Sequence, residues 1–240
     1  MAQPIRIVRQ GAITRITIDR ADAGNRVTNE MAATLARAIG SAGAEGTQLV
    51  VLAGEGADFC LGREVPASAE GGTETAVGIR AANTEPALAL FATFQRCPAP
   101  ILGIVQGRAT GMGCAMAALC DVTLAADDAR FLVPEMDRDL PPTLVMWALA
   151  DRLTRKAASY LVYSREPMDA QAALSAGLVS RVVAGADLAG AAEALIEKLA
   201  GNSGPALRAV KEYMRSAPEM DRQGAADFAS NLLANVLASR

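Results

Sequence analysis

The sequence predicts an α/β fold with an α-helical C-terminal tail, on three observations. Short apolar runs of strand type alternate with amphipathic stretches as far as about residue 183. Beyond that point only helical patterns follow. Between these parts lies a glycine-rich segment, 101–142, in which strand, turn and small-residue helix succeed one another closely. The expected division is therefore an α/β core over 1–183 and a helical region over 184–240.

The elements follow from local pattern. Residues 5–9 and 13–18 flank Gly11 and predict an antiparallel hairpin, with Thr14, Ile16 and Ile18 on one face. Thr28 is a good N-cap for a helix over 29–39, whose Met31, Leu35 and Ile39 share a face. The run 48–53 (QLVVLA) predicts a buried strand. Residues 66–75, rich in Ala, Ser, Gly and Glu, predict a mobile loop. A helix over 76–94 carries Pro86, which is expected to kink or split it. The segment 101–142 opens as a buried strand, is interrupted by Gly107, Gly111 and Gly113, and continues as a short apolar helix and a second strand. Helices are predicted over 143–153, 156–164 and 169–176, the last with Gly177 as C-cap, and then a strand over 178–183. Three further helices cover 188–200, 205–216 and 219–239.

Composition removes several classes of function. The 240 residues are 51% hydrophobic and 20% charged, with net charge −3 and no histidine. Without histidine there is no Ser-His-Asp or Cys-His machinery and no imidazole metal site. No metal is expected. The mild acidity and the lack of a Lys/Arg run argue against a nucleic-acid partner, because phosphate neutralisation needs a basic face. No apolar stretch reaches the ~18 residues of a membrane span. Pro4, Arg6, Arg9 and Gln10 interrupt any signal-peptide core. Cys60, Cys97, Cys114 and Cys120 form no CxxC pair. Reduced thiols and a cytoplasmic location are the expectation.

Three places hold candidate chemistry. Gly111-x-Gly113 follows a strand, but Met116 stands where a dinucleotide fingerprint needs its third glycine. The glycines either let a helix pack closely on a sheet or free the Met112 N–H at the helix start for a ligand. Gly62 after Phe59-Cys60-Leu61 allows a tight turn that leaves the Arg63 N–H open. Two such donors make an oxyanion hole if the loops meet. Glu135 follows Pro134 among Phe131, Leu132, Val133 and Met136. It is either a surface acid or a desolvated carboxyl suited to moving a proton. Asp137 and Asp139 carry the same two readings.

These residues form a recognisable pattern. Gly107-x-Ala109-x-Gly111-x-Gly113-Cys114, Cys120-Asp121, Ala129-x-Phe131, Pro134-Glu135 and Leu140-Pro141-Pro142 resemble the enoyl-CoA hydratase/isomerase (crotonase) family. Phe59-Cys60-x-Gly62 is similar to the family's first oxyanion segment. Asp169-Ala170-x-x-Ala173-x-x-x-Gly177-Leu178-Val179 resembles its downstream helix-strand signature. The resemblance implies a crotonase-like ββα spiral with a C-terminal α-helical trimerisation region, as a homotrimer or dimer of trimers. It implies an acyl-CoA thioester substrate, with coenzyme A part of the substrate and no separate cofactor. The thioester carbonyl would lie between the N–H groups of Arg63 and Met112, with Glu135 as acid/base. Cys60, Gly62, Gly111 and Asp139, with Arg26 and Lys211 where the family often contacts coenzyme A, complete the implied substrate-binding set.

The departures from the family pattern bear on the reaction. Hydratases of the family carry a second glutamate where this chain has Ala115. Met112, Asp139 and Val145-Met146 replace family glycines, and Thr143 stands where some relatives carry a catalytic aspartate. One acid suits a 1,3-proton shift, since the same group can remove and return the proton. Isomerisation is therefore favoured over hydration. A non-catalytic acyl-CoA-binding protein of the same fold is the alternative.

Overall fold

The computed structural model describes residues 3–43, 46–64 and 75–239. The chain begins with the hairpin of β1 (Ile5–Gln10) and β2 (Ile13–Ile18), antiparallel with Ile5 opposite Ile18. Then come α1 (Asn29–Ala42), β3 (Leu49–Gly54), α2 (Ala76–Ile79), α3 (Glu85–Arg96), β4 (Ile101–Val105), β5 (Arg108–Thr110) and α4 (Met112–Leu119). The chain continues through β6 (Val122–Ala126), β7 (Arg130–Leu132), α5 (Thr143–Leu149), α6 (Arg155–Ser164), β8 (Met168–Asp169), α7 (Ala170–Ala176) and β9 (Arg181–Val183). The helices α8 (Leu188–Ala200), α9 (Gly204–Ser216) and α10 (Arg222–Ala238) end it. Among the described residues no helix is long and apolar enough to cross a membrane.

Among the described residues the main sheet has six strands in the order β1-β2-β3-β4-β6-β9, parallel after the first pair. A second ladder runs beside it. Val27 bridges Arg63, Cys60 bridges Ala109, and β5 pairs with β7, all in parallel. Each turn of the chain thus gives one strand to the sheet and one extended piece to the ladder, then a helix. The succession β3–Cys60–α3, β4–β5–α4 and β6–β7–α5 is the expected ββα spiral.

Both faces of the sheet are covered, which is why β3 reads as an unbroken apolar run. Val50 and Leu52 face the core shared with α1, α3 and α4. Leu49 and Val51 face the other way, onto Leu188, Ala192 and Ile196 of α8. All four are buried to 3% exposure or less. Each such side chain is worth ~1.5–3 kcal/mol of burial.

Several expectations are met in detail. Thr28 accepts the Met31 N–H at 3.2 Å, and Asp169 accepts that of Ala172 at 2.8 Å. Thr14, Ile16 and Ile18 are all buried, and all four cysteines are free and buried.

The split expected at Pro86 is present: the backbone is helical from α2 through α3, and a π turn at Arg80–Thr84 interrupts it just before the proline, which has no N–H for the Ala82 carbonyl four residues earlier. Others change. The strand predicted over 178–183 shortens to β9. The expected loop over 66–75 lies outside the described residues except for Thr75, which caps α2.

Candidate active site

Two turns of the spiral present backbone N–H groups. In the first, Cys60 is locked to β5: its N–H donates to the Arg108 carbonyl at 3.1 Å, and its carbonyl accepts from Thr110 at 2.9 Å. Gly62 follows at φ 106°, a conformation that side chains rarely adopt. The Gly62 carbonyl accepts the Val27 N–H at 2.9 Å, and the Glu64 N–H returns to the Val27 carbonyl at 3.0 Å. A trans peptide holds its C=O and N–H antiparallel. With the Gly62 carbonyl aimed at Val27, the Arg63 N–H must point away from it. That N–H has no acceptor among the described residues.

Polar side chains frame this turn from outside. Arg26 Nη1 donates to the Leu61 carbonyl at 2.6 Å, and Arg20 pairs with Glu64 at 2.5 Å. The Arg63 guanidinium donates to Asn29 Oδ1 at 2.7 Å, and partial burial lowers its pKa from the ordinary value. One Arg26 nitrogen thus helps to hold the turn in place.

The second turn leads from β5 into α4. Gly111 has φ 52° and ψ −111°, a region only glycine visits readily. Its N–H donates to Leu132 at 2.8 Å, and its carbonyl accepts the Ala115 N–H at 2.9 Å. Peptide geometry again fixes the next group: the Met112 N–H leaves the start of α4, pointing outward with the positive end of the helix dipole. It too has no acceptor among the described residues.

The two turns touch. A Cβ on Gly113 would lie 2.2 Å from the Cys60 carbonyl oxygen, and one on Gly62 would lie 3.3 Å from that of Thr110. The unengaged donors therefore sit on adjoining backbone, the condition that sequence left open.

Glu135 closes the site. Pro134 ends the extended chain after β7, and Glu135–Arg138 form a single 3-10 turn. The Glu135 carboxyl lies over the start of α4, with Oε1 2.5 Å from where a Gly111 Cβ would be. Its Oε2 is buried and, among the described residues, has no hydrogen-bond partner. Burial raises the pKa of Glu135 above its usual value, offset in part by a backbone hydrogen bond and by Arg138. Beneath it the Cys114 thiol is pushed up to about 12, by burial and then by the Glu135 charge, so it is an inert packing group.

The other acids are differently placed. Ala115 is fully buried, with no carboxyl at that position. Asp137 is exposed and pairs with Arg165 at 3.3 Å. Asp139 is exposed in the left-handed region at φ 55°, as the C-cap of the 3-10 turn. A glycine would be free of strain there, and Asp is among the few other residues that accept it.

Lys211 lies elsewhere. Its ammonium is buried, donating to the Ala99 carbonyl at 3.0 Å and to Asp121 Oδ2 at 2.8 Å. The same Asp121 oxygen accepts the Ile101 N–H at 2.7 Å. This cluster stands at the entry to β4 and the exit of α4, whereas the two turns stand at the exit of β4 and the start of α4. Eight helical residues, ~12 Å, separate the ends. With these two hydrogen bonds made inside the fold, the Lys211 ammonium anchors α9 to the entry of β4, away from the paired turns.

The fold thus gathers Cys60, Gly62, Arg63, Gly111, Met112 and Glu135 at one point, with Arg26 behind them. Val27 and Asn29 belong to the same framework and carried no sequence signal beyond their place at a helix start.

Comparison with known proteins agrees with this geometry. The enoyl-CoA hydratase/isomerase family model matches residues 8–239. The chain is 30% identical over 219 residues to the 2,3-dehydroadipyl-CoA hydratase of Escherichia coli, covering 90% of this chain and 84% of that relative. The crystal structure of an enoyl-CoA hydratase from Mycobacterium smegmatis superposes with a TM-score of 0.90 at 29% identity, covering 98% of this chain and 91% of that one. Human enoyl Coenzyme A hydratase domain-containing protein 3 does so with a TM-score of 0.90 at 25% identity, covering 98% and 92%. With one family model spanning nearly the whole chain, and the spiral and paired turns already in place, this protein belongs to the enoyl-CoA hydratase/isomerase family.

Proposed function

We propose that the protein isomerises the double bond of an enoyl-CoA thioester, with Glu135 as its single acid/base. The thioester oxygen sits between the N–H groups of Arg63 and Met112. Glu135 in its carboxylate form takes the C2 proton of a 3-enoyl-CoA. The electrons of the broken C–H bond spread through the alkene to the thioester oxygen, giving a dienolate. The two N–H groups and the start of α4 stabilise that charge, each donor being worth ~3 kcal/mol. Glu135 then returns its proton at C4, and the double bond comes to rest between C2 and C3. Atoms balance with no water and no second acid. Coenzyme A enters as part of the substrate, and no separate cofactor takes part.

The observation that carries this reading is the half-buried Glu135 carboxyl over the start of α4, its Oε2 atom buried and unpartnered among the described residues. Desolvation raises its pKa above the ordinary carboxylate value, which suits a group that must both accept and release a proton. Ala115 supports isomerisation over hydration, because activating water and protonating carbon together is work for two acids.

We also propose that α9 and α10 pack against further copies of the chain, as a trimer or dimer of trimers. No residue of α10 is buried, and Val210, Met214, Leu233 and Leu237 expose apolar surface together.

The deciding experiment offers purified protein 2-enoyl-CoA and 3-enoyl-CoA panels and repeats them with Glu135→Gln. Faster turnover of 3-enoyl-CoA, lost in the variant by ~10²-fold or more, is expected. Faster hydration of 2-enoyl-CoA would overturn the isomerase assignment. Equal rates for wild type and variant would overturn the role of Glu135. Tight acyl-CoA binding with no turnover would leave a binding protein.

A further inference from the structure

The stretch 76–84 is poorly anchored for a helical segment. Neither α2 nor the π turn after it has a buried residue. Most of its polar side-chain bonds are local: Gly78 to Thr75, Thr84 to Arg80, and Arg80 to Glu85. Among the described residues, the side-chain hydrogen bond from outside is supplied by Asn29, whose Nδ2 donates to the Ala82 carbonyl at 3.0 Å. The other end of the same amide, Oδ1, accepts Arg63 Nη2 at 2.7 Å.

We infer that Asn29 is a positioning residue, its amide tying the exposed 76–84 stretch to the side chain of the oxyanion donor Arg63. The inference rests on the role proposed above for the Arg63 N–H. The backbone on either side of Arg63 is held by Val27. Tethering the tip of the side chain adds a third fixed point and limits rotation of the N–H away from the carbonyl it must meet. An amide is donor and acceptor in one rigid plane, so the docked stretch and the aligned N–H share a single tether. Pro86 has no N–H to give the Ala82 carbonyl four residues before it, and Asn29 supplies a donor there instead.

Two substitutions separate the two bonds. Asn29→Ala removes both. Asn29→Asp keeps the acceptor, strengthens it toward the guanidinium, and loses the donor to Ala82. Both should fold, because Thr28 still caps α1, Ala is a strong helix former, and an acid in a first turn is favourable.

Amide exchange across 76–84 should be several-fold faster in both variants. A bound hexadienoyl-CoA reports carbonyl polarisation as a red shift of its absorption. That shift should shrink in Asn29→Ala and persist in Asn29→Asp. In turnover, kcat of Asn29→Ala should fall by roughly tenfold with KM within about threefold, and Asn29→Asp should recover most of it. Unchanged exchange across 76–84, or a red shift and kcat unchanged in Asn29→Ala, would overturn the inference. No red shift in the wild type would count against the oxyanion role of Arg63 itself, a separate failure. The exchange and absorption measurements need no turnover, so they stand even if Glu135 proves not to be the base.

Discussion

Gly113 and Cys60 are in backbone contact, and this contact joins the two donor-bearing turns. No Cβ fits between them, since it would lie 2.2 Å from the Cys60 carbonyl oxygen. Gly113→Ala must therefore push α4 off the Cys60 strand. A displacement of ~1 Å at a reacting centre can cost ~10²-fold in rate. Turnover of Gly113→Ala should fall by about that factor, with a lower melting temperature. The control is Gly190→Ala, since Gly190 lies in α8 with nothing within 4 Å of its would-be Cβ. It should gain ~0.5–1 kcal/mol by removing glycine from a helix and leave the rate alone. Equal activity in the two variants would sink the paired-turn geometry.

Glu135→Gln should trade activity for stability. The folded state raises the pKa of this carboxyl, so it holds the proton more tightly than the unfolded chain does. Its favourable contribution is full below the unfolded value near 4.5 and is lost as pH rises through the folded value. The neutral amide escapes that loss. Thermal melting should show Glu135→Gln above wild type by on the order of a few degrees at pH 8, with the gap closing toward pH 4. In the same pH range, wild-type turnover should fall on acidification as the base becomes protonated. A variant less stable than wild type at pH 8 would contradict the burial penalty.

Lys211→Met should damage stability and spare the substrate. It leaves Asp121 bonded to the Ile101 N–H but without its cation, inside a largely buried cluster. Breaking a buried pair costs ~3–5 kcal/mol, and the partial exposure of Asp121 puts this case at the lower end. Denaturant unfolding should show the loss, while KM for acyl-CoA stays within about twofold of wild type. A large rise in KM with normal stability would return Lys211 to the coenzyme.

Leu233→Asp in α10 should dissociate the assembly. Leu233 is 61% exposed in the single chain, a wasteful placement unless another copy covers it. Sedimentation should give an oligomer for wild type and smaller species for the variant. A monomeric wild type would refute the proposed self-association.

Much of the architecture was readable because it rests on local chemistry. The caps Thr28 and Asp169, the left-handed Gly177 and the buried face of Thr14, Ile16 and Ile18 are all set by neighbours in sequence. The glycines and Glu135 could be singled out by residue type and order. Their meeting could not. Single-residue bridges such as Cys60 to Ala109 have no periodicity to detect, and the Asn29–Arg63 bond spans 34 positions. The anchoring of Lys211 was hidden for a related reason. A lysine on an amphipathic helix looks solvated until its acid, 90 residues earlier, folds beneath it.

The ladder that brings these groups together also dictates when they arrive. Cys60 pairs with Ala109, and Gly111 is tied to Leu132, so the constellation exists only after successive windings of the chain have closed on one another. Contacts so distant in sequence form slowly, because loop-closure entropy must be met before they stabilise anything. Helices can appear early in refolding, but the chemistry waits for the last winding to seat. Regain of turnover is thus a clock for completion of the spiral, and a chain arrested one winding short would look folded by its helical content while remaining catalytically silent.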